Sequence, residues 1–170
     1  MLLFLNGCGN KEDAATPSFS GISEAPEFLL EDHQAFLKQL EPFTSYKDST
    51  GLIAKELYEV MEYHFKEEED YVLPPLGILP ALAKDRVPQE SDKIMLQIEK
   101  FRKNETLMLA EHQMIGHFLI QLTRAAEREG HGELSGFEEA LEKHAALEEE
   151  ILFPAVLLIG DRLRPKLAEE

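Results

Sequence analysis

The sequence predicts an all-α protein folded as an up-down-up-down four-helix bundle. Three observations predict it. Ala, Leu, Glu and Lys dominate the composition, and these are strong helix formers. Apolar residues recur with a period of about 3.6 residues along four segments. Prolines and glycines separate those segments.

The first helix is expected from about Pro26 to Leu40, with Leu29, Leu30, His33, Phe36, Leu37 and Leu40 on one face. Pro26 suits a first turn, and Pro42 lies beyond the end. The second is expected from about Ser49 to Leu73, with Ile53, Leu57, Met61, His64 and Glu68 inward and Pro74-Pro75 as a stop. The connection from Pro74 to about Gln89 reads as irregular, with a short turn around Ala81 to Ala83. The third helix, from about Ser91 to Arg128, carries Ile94, Ile98, Phe101, Glu105, Met108, His112, Ile115, Leu119 and Leu122 on its inward stripe. It would span on the order of 55 Å, so a bend or break is expected. Gly130-His131-Gly132 ends it. The fourth runs from about Leu134 to Ile159, with Phe137, Leu141, His144, Glu148, Ile151, Leu152 and Ala155 inward and a kink or break at Pro154.

One unit occurs twice. His64-Phe-Lys-Glu-Glu68-Glu69-Asp-Tyr-Val-Leu-Pro74 aligns without gaps, at an offset of 80, onto His144-Ala-Ala-Leu-Glu148-Glu149-Glu-Ile-Leu-Phe-Pro154. Both copies carry Glu at +4 and +5, apolar residues at +7 to +9, and Pro at +10. On a helix, positions i and i+4 differ by about 40°, so each copy offers an imidazole and a carboxylate within one turn. Glu69 and Glu149 turn about 140° from their own histidines and are placed at the rim or behind the ligands.

His33 and His112 add one inward imidazole from each of the other helices. Pooled, the candidate metal ligands are His33, His64, Glu68, His112, His144 and Glu148. A carboxylate on an apolar stripe is costly unless a cation accompanies it. Imidazole and carboxylate suit borderline-to-hard metals, and one cysteine in the chain leaves no thiolate cluster for copper(I) or iron–sulfur. Two carboxylates can bridge two ions with two histidines capping each. A bridging oxo or hydroxo group would offset further positive charge, which favours oxidised iron. His117, about 140° round from His112, is placed outside the site, and His131 in a solvated turn. Glu105 is a candidate acceptor behind a ligand imidazole or a spare carboxylate near the pocket mouth, and Tyr63 or Tyr71 a candidate partner for a bridging ligand.

Composition excludes other classes. Lys+Arg is 17 against 33 Asp+Glu, a formal charge of −16, so nucleic acid is not an expected partner. Ferritin-like sites use Glu-x-x-His on two helices. Here the positions three before the four histidines are Leu30, Met61, Leu109 and Leu141, and that reading is rejected.

Together these residues resemble the hemerythrin-like (HHE cation-binding) family over about Phe28 to Val156. The match rests on Glu31-Asp32-His33, His64-x3-Glu68-Glu69, Glu111-His112-Gln113, and His144-x3-Glu148-Glu149-x-Ile-Leu-Phe-Pro154. The resemblance implies a non-haem di-iron centre with an oxo or hydroxo bridge, and Glu68 and Glu148 as protein bridges. Oxygen-carrying hemerythrins look as though they use five histidines, two of them one turn apart on the third helix. Here Met108 and Gly116 occupy the positions one turn from His112. The site is similar instead to the four-histidine sites of iron-centre repair and iron-sensing members. The expected function is binding of, or reaction with, O2, NO or peroxide, with an electron donor left unspecified. An iron or gas sensor without turnover is the alternative, and whether the chain is an enzyme stays open.

Leu2-Leu3-Phe4-Leu5-Asn6-Gly7-Cys8 resembles a bacterial lipoprotein processing site, followed by a polar, small-residue tether. The expected division is therefore 1–23 signal remnant and tether, 24–165 bundle, and 166–170 tail. A lipidated Cys8 would tether the protein to the membrane of the cell envelope. The alternative is a cytoplasmic protein with an apolar N-terminus.

Overall fold

The structure is a computed structural model and describes residues 24–87, 90–134 and 136–167. Cys8 and the proposed tether lie outside the described residues, as does most of the 166–170 tail. Among the described residues there is no strand, and no helix is long and apolar enough to cross a membrane.

Helix α1 spans Glu27–Leu40 and passes through a 3-10 turn, Glu41–Ser45, into α2, Ser49–Glu67. Asp48 caps α2 by accepting the Gly51 N–H at 3.1 Å. A second cap reaches across from the end of the third bundle helix. Glu129 accepts the N–H groups of Ser49 and Thr50 and the Thr50 hydroxyl. These bonds satisfy first-turn donors that α2 itself leaves unpaired. His131, expected to be solvated, is half-buried and pairs with Asp48 at 2.8 Å.

Both copies of the repeat end in the same backbone device. A five-residue π turn follows each α segment, at Glu68–Val72 and at Glu148–Leu152. The Leu73 N–H donates to the Glu68 carbonyl at 2.8 Å, and the Phe153 N–H donates to that of Glu148. Proline at +10 accounts for the wide turn. It has no N–H for the carbonyl four residues back, and in an α-helix its ring would clash there. The carbonyl so freed in the first copy, that of Asp70, accepts the Gln97 side-chain N–H instead at 2.9 Å.

The copies then diverge. After the first, the chain takes a 3-10 turn, Pro74–Ile78, and a single helical turn, α3, Leu79–Leu82. The short turn expected in this connection is thus present, somewhat earlier than predicted. After the second, the chain continues from α5, Phe137–Leu147, through the π turn into α6, Phe153–Leu167. The fourth bundle helix therefore starts three residues after the expected Leu134 and ends eight residues beyond the expected Ile159.

Helix α4, Ser91–Glu129, runs its 39 residues without interruption. Gly130 closes it in the left-handed region at φ 82°, where a side chain would be strained. Contacts across the bundle fix antiparallel neighbours. Gln97 near the start of α4 meets the end of the second bundle helix, and Glu129 at its end meets the start of α2. Likewise Arg102 pairs with Asp161 of α6, and Thr123 with Glu138 of α5.

The core has two parts. Leu29, Leu73, Ile98, Phe101, Phe153 and Val156 belong to one cluster; Leu40, Leu57, Met61, Leu119, Phe137 and Leu141 belong to the other. On α4, Met108 belongs to the first and Ile115 to the second, with His112 between them. The polar site occupies that gap.

The π turn also corrects the predicted inward face of the fourth helix. Ile151, expected inward, is 57% exposed, while Phe153 and Val156 are buried. A π turn adds one residue, which rotates the segment after it by about 100° and turns Phe153 inward, as it does Leu73 in the first copy. Ile151 lies within the turn, and its exposure is particular to this copy, since Tyr71 at the same place in the other is buried.

Candidate metal centre

The structure brings all six predicted ligands together. His33 comes from α1, His64 from α2, His112 from α4 and His144 from α5. Glu68 and Glu148 open the two π turns. All six are buried, Glu68 completely.

Their facing atoms are close but unbonded. His64 Nε2 lies 3.3 Å from Glu68 Oε1, and His112 Nε2 lies 3.6 Å from the same oxygen. The other oxygen, Glu68 Oε2, lies 3.5 Å from His33 Nε2. Glu148 divides in the same way. Its Oε1 is 3.2 Å from His144 Nε2 and 3.6 Å from His33 Nε2, and its Oε2 is 3.5 Å from His112 Nε2. The four Nε2 atoms and four carboxylate oxygens are buried without a hydrogen-bond partner. Eight orphaned polar atoms at one point would cost several kcal/mol if nothing satisfied them. A metal would satisfy all of them, and ligand atoms fall into two metal-sized groups: His64, Glu68, His112 and Glu148, and His33, His144 and Glu148. The residues fit a cation site.

Carboxylates stand behind three of the imidazoles. The Nδ1–H of His33 points to Glu69 at 3.0 Å, that of His64 to Glu111 at 2.9 Å, and that of His112 to Glu149 at 2.7 Å. Each such bond fixes the tautomer that leaves Nε2 free for a metal and raises its basicity. Glu69 and Glu149 thus take the supporting place expected of them, but each serves a histidine on another helix. Sequence reasoning missed Glu111. It sits next to His112 in the chain, about 100° away on the helix, and its target is His64 across the α2–α4 contact. Only that packing reveals it.

Other expectations are corrected. Glu105 is half-buried and holds no ligand imidazole among the described residues. The Tyr71 hydroxyl donates to Glu67 at 2.9 Å and touches the Met108 sulfur, and Tyr63 is a surface residue at 58% exposure. His117 is exposed, outside the site as expected.

The electrostatics without a metal follow from crowding. Burial pushes the His112 imidazole down, but the Glu148 and Glu68 carboxylates outweigh it and raise its pKa to about 10. His33 and His64 are raised in the same way, against burial, by their carboxylate neighbours. Burial pushes Glu148 up, but the imidazoles of His112, His144 and His33 hold it well below the usual carboxylate range. The carboxylates thus favour the charged forms of the His33, His64 and His112 imidazoles.

A cavity of about 60 Å³ opens against His64, His112 and Glu148, walled by Ile115, Leu119 and Leu141. Gly116 also lines it, and a Cβ there would meet nothing within 4 Å.

Such a bundle, with imidazoles from four helical elements around two buried carboxylates, defines a cation-binding helical protein. The profile of the hemerythrin HHE cation-binding domain matches residues 24–156, and the chain belongs to that family. Neither the curated proteins nor the solved structures gave a match.

Proposed function

We propose that the chain holds two non-haem iron ions, one between His33 and His144 and one between His64 and His112, and that this pair binds or reacts with O2, NO or peroxide. One observation carries the reading. Each central carboxylate turns one oxygen toward each pair of histidines, which is the division two bridged ions require.

Iron is favoured by the donor set. All ligands are imidazole or carboxylate, and with Glu69, Glu111 and Glu149 five carboxylates surround the centre. That much negative charge suits a pair that reaches the ferric state. Each half has two imidazoles and two carboxylate oxygens, fewer than the six donors of octahedral iron. A bound pair would supply redox equivalents and open positions. The protein supplies the rest: Glu111 and Glu149 orient the imidazoles, and the apolar walls limit solvent. A cavity of about 60 Å³ has room for a few water-sized molecules, which suits a diatomic or peroxide.

A sensing role is a second reading, supported by ligands drawn from four separate helical elements. Occupancy of such a site stabilises the whole bundle. A melting temperature unchanged by chelation would remove it.

The decisive test is anaerobic titration with ferrous iron, followed by air. Uptake of about two irons per chain, with near-ultraviolet charge-transfer bands on oxidation, is expected. Substoichiometric iron that His144→Ala leaves unaltered would overturn the reading.

A further inference from the structure

The outward face of α2 carries a feature that metal binding does not require. Tyr63 is 58% exposed and stands between two grooves. One, of about 390 Å³, runs between α2 and α4 past Val60, Met114 and Phe118 to Glu111. The other, of about 530 Å³, runs between α1 and α2 past Leu37 to Glu69 and His33. Leu107 and Met114 on α4 extend the apolar surface at 53% and 41% exposure.

Each groove ends on a carboxylate that holds a ligand imidazole. Glu111 accepts from His64, and Glu69 accepts from His33. Those histidines belong to opposite halves of the centre. A partner seated over Tyr63 would therefore have a short hydrogen-bonded path to both ions. The rim is acidic: Glu56, Glu59, Glu62 and Glu69 face it, and Lys66 is the cation among the groove residues. An exposed aromatic and methionine centre inside a charged rim has the anatomy of a protein interface. The charge of −16 over the chain adds long-range attraction for a basic partner.

We infer that this face is the docking surface for a small basic redox protein that passes electrons to the metal centre. The inference rests on the di-iron reading above. Two donors in turn, each oxidised by one electron, take a ferric pair to a ferrous pair, and solvent supplies any proton taken up.

The test uses the full-length, iron-loaded protein and a basic c-type cytochrome as probe. Binding is followed by calorimetry as a function of salt, and reduction by stopped flow, with dithionite as a small reductant that needs no docking. The expected result is salt-sensitive cytochrome binding, weakened at least tenfold by Glu59→Lys/Glu62→Lys and by Tyr63→Ala. A control pair of equal charge change, Glu127→Lys/Glu139→Lys, should weaken it less than twofold. Reduction by the cytochrome should fall in parallel with binding while reduction by dithionite stays constant. Equal binding by all variants overturns the docking surface. So does a dimer of this chain that Glu59→Lys/Glu62→Lys breaks, because the face would then belong to a second copy. Iron-loaded protein that dithionite does not reduce sinks the redox reading itself and the docking surface with it. Normal dithionite reduction with variant-insensitive binding sinks the docking surface alone.

Discussion

The two copies of the His-x3-Glu unit share a spacing, a π turn and a role, yet they sit in different surroundings. His64 leans on the Glu111 carboxylate and faces the open cavity with His112. His144 has no carboxylate behind its ring among the described residues; it packs edge-on against Phe36 at 5.2 Å and His33 at 5.1 Å. At +7, Tyr71 is buried while Ile151 is 57% exposed. At +9, Leu73 and Phe153 are both buried. The shared features are those that local backbone and helix geometry impose. The differences come from what each copy is packed against.

Breaking the shared part should have the largest effect. Glu68→Ala and Glu148→Ala should each abolish binding of both ions, because each carboxylate faces both histidine pairs; metal analysis after gel filtration checks this. One ion retained in either variant would break the proposed equivalence of the copies.

Next come the +9 positions. Phe153→Ala should cost about 3–5 kcal/mol and Leu73→Ala about 2–5 kcal/mol, from lost burial and the cavity left behind. Denaturant melts would show it, and a negligible effect at either site would deny that the π turn directs this position inward.

Glu111→Gln sharpens the contrast between the two histidines. It should weaken metal binding by roughly 10- to 100-fold, the usual consequence of losing a carboxylate behind a ligand imidazole, while the fold persists. Competition with a chelator measures it.

Acidity gives a fourth check. His112 holds its proton up to about pH 10 in the metal-free fold, above its ordinary 6.5. That contribution to stability is complete below 6.5 and is lost as pH rises through about 10. Metal-free protein should therefore melt at progressively lower temperature from pH 7 to 10. Metal affinity should rise over the same window, by about tenfold per pH unit for each proton displaced. A metal-free melting temperature that climbs through this range would contradict the assignment.

The smallest effect belongs to Ile151→Ser. As a surface substitution it should change stability by no more than about 0.5 kcal/mol. A loss of several kcal/mol would mean that Ile151 is covered as Tyr71 is.

Much of this protein could be read without a structure. Helix periodicity located the four bundle helices, because a side chain's face follows from its position modulo about 3.6 residues. The six candidate ligands followed from the same rule, and the structure brings them together, since helix spacing sets which imidazoles and carboxylates share a turn. What escaped was non-local. Ile151 was misplaced because burial at that position depends on what packs over it: in the same place of the other π turn Tyr71 is covered, and Ile151 is not. Glu111 went unrecognised because it supports His64, 47 positions earlier in the chain. The cavity beside Gly116 exists only because α2, α4 and α5 pack around it. Sequence by itself determined which faces turn inward and which side chains share a turn, since helix geometry is local. Tertiary structure alone decided which carboxylate backs which imidazole and where space remains, since both depend on how separate helices meet.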